Sequence, residues 1–253
     1  MHVHSEILTE ALSATLEPLK EHRVLYLALP RLDELIGGFE ASQLALLDSS
    51  SGFVFDLASV LCVQAANTFH EELIFVDGGN SIDPYGIANI CKRKGHDKQN
   101  VLSQINVARA FTAYQLVTLI NDRLEEMIKN SKASTLIVSC FVDLFFDKDM
   151  AWHESFQLIK RSMATIKRLT YEHNLITIIT NHGLAKLHFR RGLRSLMYTI
   201  PDKLIRIEDR KKGLKVSLPR RESFIFFYPV PTYQTILDEF FKGEIYGKNS
   251  AYI

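Results

Sequence analysis

The sequence predicts an α/β protein: a mostly parallel, twisted sheet with helices on both faces and an antiparallel extension at its C-terminal end. Three observations predict it. Short apolar runs alternate with helix-period segments along most of the chain. Those runs lack polar alternation, as strands buried on both faces do. From residue 203 onward the helical segments stop, and strand-like runs follow one another through tight turns.

Taken in order, residues 5–20 set Ile7, Leu8, Ala11, Leu12, Leu16 and Leu19 on one helical face. Pro18 bends or ends that helix. Runs at 24–29, 44–47, 73–76, 105–108, 135–138 and 175–179 read as buried strands. Helix-period segments at 56–68, 84–94, 112–129 and 153–172 separate most of them, as βαβ units require. Segments 203–207, 214–218 and 223–228 read as antiparallel strands, with Lys212-Gly213 in one of the turns. No internal repeat, low-complexity tract or linker interrupts the chain. Two parts are therefore expected, an N-terminal helix at 1–22 and one core domain at 23–253.

Composition narrows the class further. An apolar fraction of 47% with 23% charged residues suits a packed globular chain and argues against disorder. A net charge of +1 gives no overall attraction to polyanions, so any such attraction must be local. Cys62, Cys91 and Cys140 are odd in number and sit in apolar stretches, which predicts buried free thiols in a reducing compartment. The start of the chain lacks a signal-peptide pattern, and no apolar run reaches membrane-spanning length. The expected location is cytoplasmic, or nuclear in a eukaryote.

In an open parallel sheet, ligands gather at the carboxyl ends of the strands. Four such ends can be read directly: Asp48-Ser-Ser-Ser-Gly52, Asp77-Gly-Gly-Asn80, Ser139-Cys140 and Thr180-Asn181-His182. The first has the layout of a phosphate-cradling loop between a strand and a helix. Where such a loop needs a lysine and a hydroxyl, the chain has Val54 and Phe55.

The order and content of these segments carry a resemblance. "LPRLDELIGGFEASQLALLDSSSG", "ELIFVDGGNSIDPYGIANICKRKG", "INVARAFTAYQLVTLINDRLEEMI", "LIVSCFVDLF" and "ITIITNHG" follow one another as in the core of a RecA-superfamily recombinase, of the archaeal RadA and eukaryotic recombinase-paralogue type. The resemblance runs from about residue 26 to 240 and implies a RecA-like core. It also marks what is replaced. The family's phosphate-loop lysine and hydroxyl align with Val54 and Phe55, and Gly52 alone remains of the loop's glycines, after Ser49, Ser50 and Ser51. The catalytic glutamate aligns with Gly79, two residues after Asp77. The metal-side aspartate aligns with Ser139, and the γ-phosphate-sensing glutamine with His182.

These replacements together imply a degenerate ATP site, no bound cofactor, no metal and no hydrolysis. Backbone N–H groups of Ser50 to Gly52 could still meet an anion at the helix start. Phe53, Val54 and Phe55 are expected to fill the space where a nucleotide would sit. The His residues lack zinc spacing, and the serines lack a nucleophile elbow.

The segment 186–221 is the one strongly cationic region. In the family, the loop after the Thr-Asn strand contacts single-stranded DNA. Lys186, His188, Phe189, Arg190, Arg191 and Arg194 fall there, with a ring to stack a base and cations for phosphates. The alternative is a solvated basic face, or arginines that meet acidic residues on a partner. The other DNA-contacting loop corresponds to "FFDKDMAWHE", which is acidic, so a complete strand-exchange site is not expected.

The functional expectation is a catalytically inactive recombinase paralogue that assists homologous recombination or DNA repair. Its partners would be a recombinase or other RecA-like protein and single-stranded DNA, with self-association open and no membrane. The alternative is a protein-binding pseudo-ATPase, a regulatory subunit in an assembly unrelated to DNA. A third reading, a weak ATPase resting on Asp77, ranks last.

Overall fold

The computed structural model describes residues 22–146, 150–183, 191–211 and 213–229. Ten strands and eight helices lie within them. The strands are β1 (Val24–Leu25), β2 (Phe39–Glu40), β3 (Gln43–Ser49), β4 (Leu73–Asp77), β5 (Ile105–Arg109), β6 (Thr135–Ser139), β7 (Ile176–His182), β8 (Lys203–Arg210), β9 (Gly213–Leu218) and β10 (Ser223–Phe227). The helices are α1 (Pro30–Ile36), α2 (Phe53–Phe69), α3 (Pro84–Lys94), α4 (Lys98–Ser103), α5 (Ala113–Thr118), α6 (Leu124–Ser131), α7 (Trp152–Glu172) and α8 (Arg191–Thr199).

Eight strands form one sheet in the order β10-β9-β8-β3-β7-β6-β4-β5. From β8 to β5 every pairing is parallel, and β9 and β10 extend the sheet antiparallel. The fold is thus the α/β architecture read from the sequence. The side-chain period of two assigns alternate residues of each strand to opposite faces. Along β3, Ala45 and Leu47 enter one core cluster with Leu57 and Leu61 of α2 and Ile87 of α3. Leu44 and Leu46 enter the other, with Leu116 of α5, Leu124 of α6 and Ile159 and Met163 of α7. Two apolar layers therefore clamp the strands, and only their ends are left to carry polar chemistry. All three cysteines are free and buried in or beside these layers.

Three local differences from the sequence reading have physical causes. The run at 24–29 is not a strand of the main sheet: only Val24–Leu25 pairs, with Phe39–Glu40. The Asp33 carboxylate accepts the Leu27 and Leu29 amides at 2.8 and 2.9 Å, so these donors need no partner strand. Second, the helical segment near 112–129 is broken by a π turn, Leu119–Arg123, between α5 and α6. Its buried residues Leu116, Ile120, Leu124 and Ile128 recur every fourth position, which overshoots a 3.6-residue turn. One wider turn keeps all of them facing the sheet. Third, the residues from 191 to 199 form α8 rather than a loop, with Leu193 and Met197 fully buried.

The β8–β9 hairpin closes on the Arg210–Gly213 pair, and Gly213 has φ 103°, as the expected turn at 212–213 requires. The expected N-terminal helix at 5–20 lies outside the described residues. Among the described residues no helix is long and apolar enough to cross a membrane.

Candidate functional site

Four adjacent strands, β3, β7, β6 and β4, end at the same rim of the sheet and bring the four strand-end motifs side by side. Register sets what meets what. Asp48 of β3 lies opposite Asn181 of β7 and Arg206 of β8, and Asp77 of β4 lies opposite Ser139 of β6 and Arg109 of β5.

The loop after β3 closes on itself. Ser49 Oγ accepts the Ser51 amide at 2.9 Å and donates to the Ser51 carbonyl at 2.8 Å. The Ser50 amide is taken by the Ile207 carbonyl at 2.9 Å. The amides of Phe53, Val54 and Phe55 find the Ser51 hydroxyl, the Ser51 carbonyl and the Gly52 carbonyl. Phosphate loops bind anions because such donors point outward without partners. Here the amides of Ser50 and Ser51, expected to be offered to an anion, are bonded within the protein.

The two key replacements diverge. Val54 is fully buried within the α2 layer. Phe53 is also buried, its ring centroid 5.5 Å from that of Phe227 on β10. Of the three apolar residues expected to fill the nucleotide space, these two turn into the core instead. Phe55 alone lies at the rim, its ring centroid 5.7 Å from that of His182. The positions that in the resembled family hold a metal-side hydroxyl and a γ-phosphate sensor thus meet as a pair of rings.

At β4 the surviving carboxylate is spent locally. Asp77 is fully buried and accepts from the Gly79 amide (3.2 Å), the Ser81 amide (2.9 Å), the Ser81 hydroxyl (3.0 Å) and the Ile82 amide (3.3 Å). Arg109 Nε stands 3.4 Å away. Ser81 Oγ continues to Ser139 Oγ at 2.6 Å, and Ser139 to Thr180 Oγ1 at 3.0 Å. Asn181 Oδ1 accepts the Val142 amide at 3.2 Å, while its Nδ2 is buried without a partner. These hydroxyl and carboxylate groups tie β4, β6 and β7 together. Asp77, Arg109, Ser81 and Thr180 thus form one network; the sequence reading noted Asp77 and Thr180 as strand-end residues but not Arg109 and Ser81, which join it through strand register and a local turn.

Gly79 is walled in. A Cβ built there would lie 2.4 Å from Cys140 Sγ and 2.6 Å from Cys140 Cβ. Cys140 itself has φ 55°, a left-handed conformation that costs a side-chain-bearing residue about 1 kcal/mol or more. Burial pushes its thiol pKa up to about 12, so it stays protonated. The thiol therefore stands where a residue-79 side chain would begin. Gly79→Ala is expected to destabilise the protein by about 1–3 kcal/mol through overpacking. Adding Cys140→Gly removes the opposing atoms and relieves the positive φ, so the double variant recovers most of that loss. Urea denaturation of all four proteins in the cycle checks this; purely additive losses would refute the contact.

The groups gathered here do not fit a Mg²⁺-bound nucleotide in the resembled family's manner. At the positions that the resemblance aligns with the cation, the hydroxyl and the carboxylate such a ligand needs stand a buried valine, a ring paired with His182 and a walled glycine. Among the described residues no cluster of His, Cys, Asp and Glu could hold a metal ion.

Of the expected DNA-contacting residues, Lys186, His188, Phe189 and Arg190 lie outside the described residues, as does the Arg191 side chain. Arg194 is on helix α8, not in a loop, and its guanidinium sits 5.2 Å from the Tyr198 ring centroid. The Tyr198 hydroxyl donates to Asp48, and burial together with that carboxylate pushes its pKa up to about 12.

Other cations of the segment are also engaged. Lys203 donates to the Gly38 carbonyl, Arg206 and Arg210 pair with Glu208 at 2.8 and 2.7 Å, and Arg220 caps the carbonyls of Tyr198 and Asp202. Part of the cationic run is therefore internal wiring.

Comparison with known proteins gives a consistent picture. The chain is 26% identical over 121 residues to the DNA repair and recombination protein RadA of Methanococcus maripaludis strain C7, covering 46% of this chain and 37% of that protein. The strain C5 protein of the same name is 26% identical over 117 residues, covering 45% and 36%. The matched regions thus span well under half the length of these curated relatives. The Rad51 family model matches residues 34–194, from α1 to Arg194 in α8, and so includes all four strand ends. That match exceeds half of the chain, and with the RecA-like sheet it shows that the protein belongs to the Rad51 family, with a RecA-superfamily recombinase-like core.

Proposed function

We propose that this chain is a recombinase paralogue that does not hydrolyse ATP and serves as an accessory factor in homologous recombination or DNA repair. Membership of the Rad51 family and the relatives' printed roles support the biological setting. The single observation that carries the loss of hydrolysis is the Phe55–His182 ring pair, which occupies the rim where metal and γ-phosphate would be handled. Backbone donors turned inward and a buried Val54 act in the same direction. Electrostatic stabilisation of a phosphoryl transition state needs fixed cations at that rim. Among the described residues, the cations at the strand ends are already opposed by carboxylates: Arg109 Nε stands 3.4 Å from Asp77 and Arg206 Nε 3.9 Å from Asp48.

In this reading, function resides in surfaces: a face that engages a catalytic recombinase, and the cationic stretch at 186–194 that engages single-stranded DNA. The internal pairing of Arg206, Arg210 and Arg220 favours the second reading, a protein-binding pseudo-ATPase outside DNA metabolism. Fluorescence anisotropy of a labelled oligonucleotide at several salt concentrations separates the two. The expected result is binding whose logarithm falls with log salt by about 0.7 per phosphate contacted, weakened in Arg190→Ala/Arg191→Ala. ATP turnover with Mg²⁺ is expected to stay at the buffer rate. Absence of binding at low salt would leave a protein partner as the sole ligand. Turnover above background would remove the proposal.

A further inference from the structure

The antiparallel end of the sheet has two unlike faces. One is core: Leu214, Val216 and Leu218 of β9 and Phe227 of β10 pack with Leu32 and Ile36 of α1. The other carries a row of aromatics on the edge strand. Phe224, Phe226 and Tyr228 are 52%, 46% and 56% exposed. Alternate residues of a strand lie about 6.8 Å apart on one face, so the three rings form a stripe along the sheet edge. Phe224 and Phe226 meet edge to face at 5.7 Å.

Register fills in the rest of that face. Phe226 lies opposite Lys215 and Phe224 opposite Ser217; Lys215 in turn lies opposite Glu208, Ser217 opposite Arg206, and Gly213 opposite Arg210. The Lys215 ammonium stands 4.5 Å from the centre of the Phe224 ring. At Gly213 an added Cβ would lie 2.6 Å from Tyr228 Cδ1, so the absence of a side chain lets that ring lie down on the sheet. Glu208 is shared by Arg206 and Arg210, leaving this grid with a net positive balance once Lys215 is counted.

Exposed rings at strand spacing, with cations between them and beside them, match one class of ligand best. Bases offer flat faces to rings, and phosphates offer charge to cations, and neither demand needs a deep cavity. A protein partner would be met by apolar side chains framed by a polar rim. Here a lysine of the neighbouring strand stands directly against the aromatic row.

Resting on the proposed binding of single-stranded DNA, we infer that the face formed by Lys215, Phe224, Phe226 and Tyr228 is a second single-strand platform, distinct from residues 186–194. Arg220, in the turn before β10, bonds the Tyr198 and Thr199 carbonyls, so the C-terminal end of α8 finishes against this hairpin.

The test is anisotropy of a fluorescein-labelled oligothymidine with the full chain, Phe224→Ala/Phe226→Ala, Lys215→Gln, and Arg190→Ala/Arg191→Ala. Two lost stacking rings are expected to weaken binding about a hundredfold. Lys215→Gln is expected to lower the salt slope by roughly one phosphate contact, which a packing defect would not do. Wild-type affinity in the double-phenylalanine variant and in Lys215→Gln, with loss only in Arg190→Ala/Arg191→Ala, would overturn the platform and leave the proposed DNA binding intact. Unchanged DNA affinity with a lower melting temperature would assign the stripe to packing within the chain. Unchanged affinity with a shift from dimer to monomer in sedimentation would assign it to a second copy. No binding by the parent chain would overturn both the platform and the single-strand binding on which it rests.

Discussion

Replacing Val54 by lysine, the residue that a phosphate loop carries at the position the resemblance aligns with it, is expected to destabilise the protein strongly rather than restore a site. Val54 is fully buried in the layer between α2 and the sheet, among Leu57, Val60 and Leu61. An ammonium there loses its water and gains no anion, since the loop carbonyls and hydroxyls already have partners. An uncompensated buried charge costs on the order of 3–5 kcal/mol, against a total stability of roughly 5–15 kcal/mol for a typical domain. Urea denaturation should show a lower midpoint with an unchanged slope. A Val54→Lys chain as stable as its parent, with ATP raising its melting temperature, would show that the loop still opens onto a nucleotide site.

Asp77→Ala is expected to be comparably damaging, for the opposite reason. It removes a buried charge that is fully partnered. The amides of Gly79, Ser81 and Ile82 and the Ser81 hydroxyl lose their acceptor, and Arg109 loses the carboxylate 3.4 Å away. Each unsatisfied donor costs about 1–3 kcal/mol, and relaxation with water entry brings the sum to about 3–5 kcal/mol. Asp77→Asn keeps one acceptor oxygen and is expected to lose less. Thermal unfolding of the pair checks the order. Equal losses would mean that charge, not hydrogen bonding, holds the turn. An ATPase defect in Asp77→Ala could not by itself prove a catalytic role, because the turn it anchors would be gone.

How far the residues foretold this arrangement differs from element to element. The parallel strands were readable because Leu44, Leu73, Thr135 and Leu175 open apolar runs bounded by turn residues, and burial on both faces demands such runs. Helix α1 was missed although Pro30 at its start and Gly37 at its end are ordinary boundary signals. The alternation of Leu25, Leu27 and Leu29 resembled a strand, and a single distant-looking carboxylate, Asp33, changed the outcome. Helix α4 had no apolar period to read, since only Val101 is buried.

At the site, order and spacing singled out Val54, Phe55, Gly79, Ser139 and His182 only through the resemblance. Their consequences were not legible. Nothing local says that Phe55 and His182 touch, or that Cys140 occupies the approach to Gly79. Those are facts of strand register, which brings together residues far apart in the chain. Helix α8 is the converse case: Leu193, Leu196 and Met197 carried helical spacing, and the cationic composition around them drew attention away from it.

The Phe55–His182 contact also bears on time. In a nucleotide-driven protein, the state of this rim changes when a phosphate is cleaved, and partners are released on a schedule set by that reaction. Two rings of one chain have no such clock. On the proposed reading, the lifetime of any complex this protein joins is an intrinsic off-rate, indifferent to the ratio of ATP to ADP. Such a subunit would hold its place while nucleotide-dependent neighbours come and go.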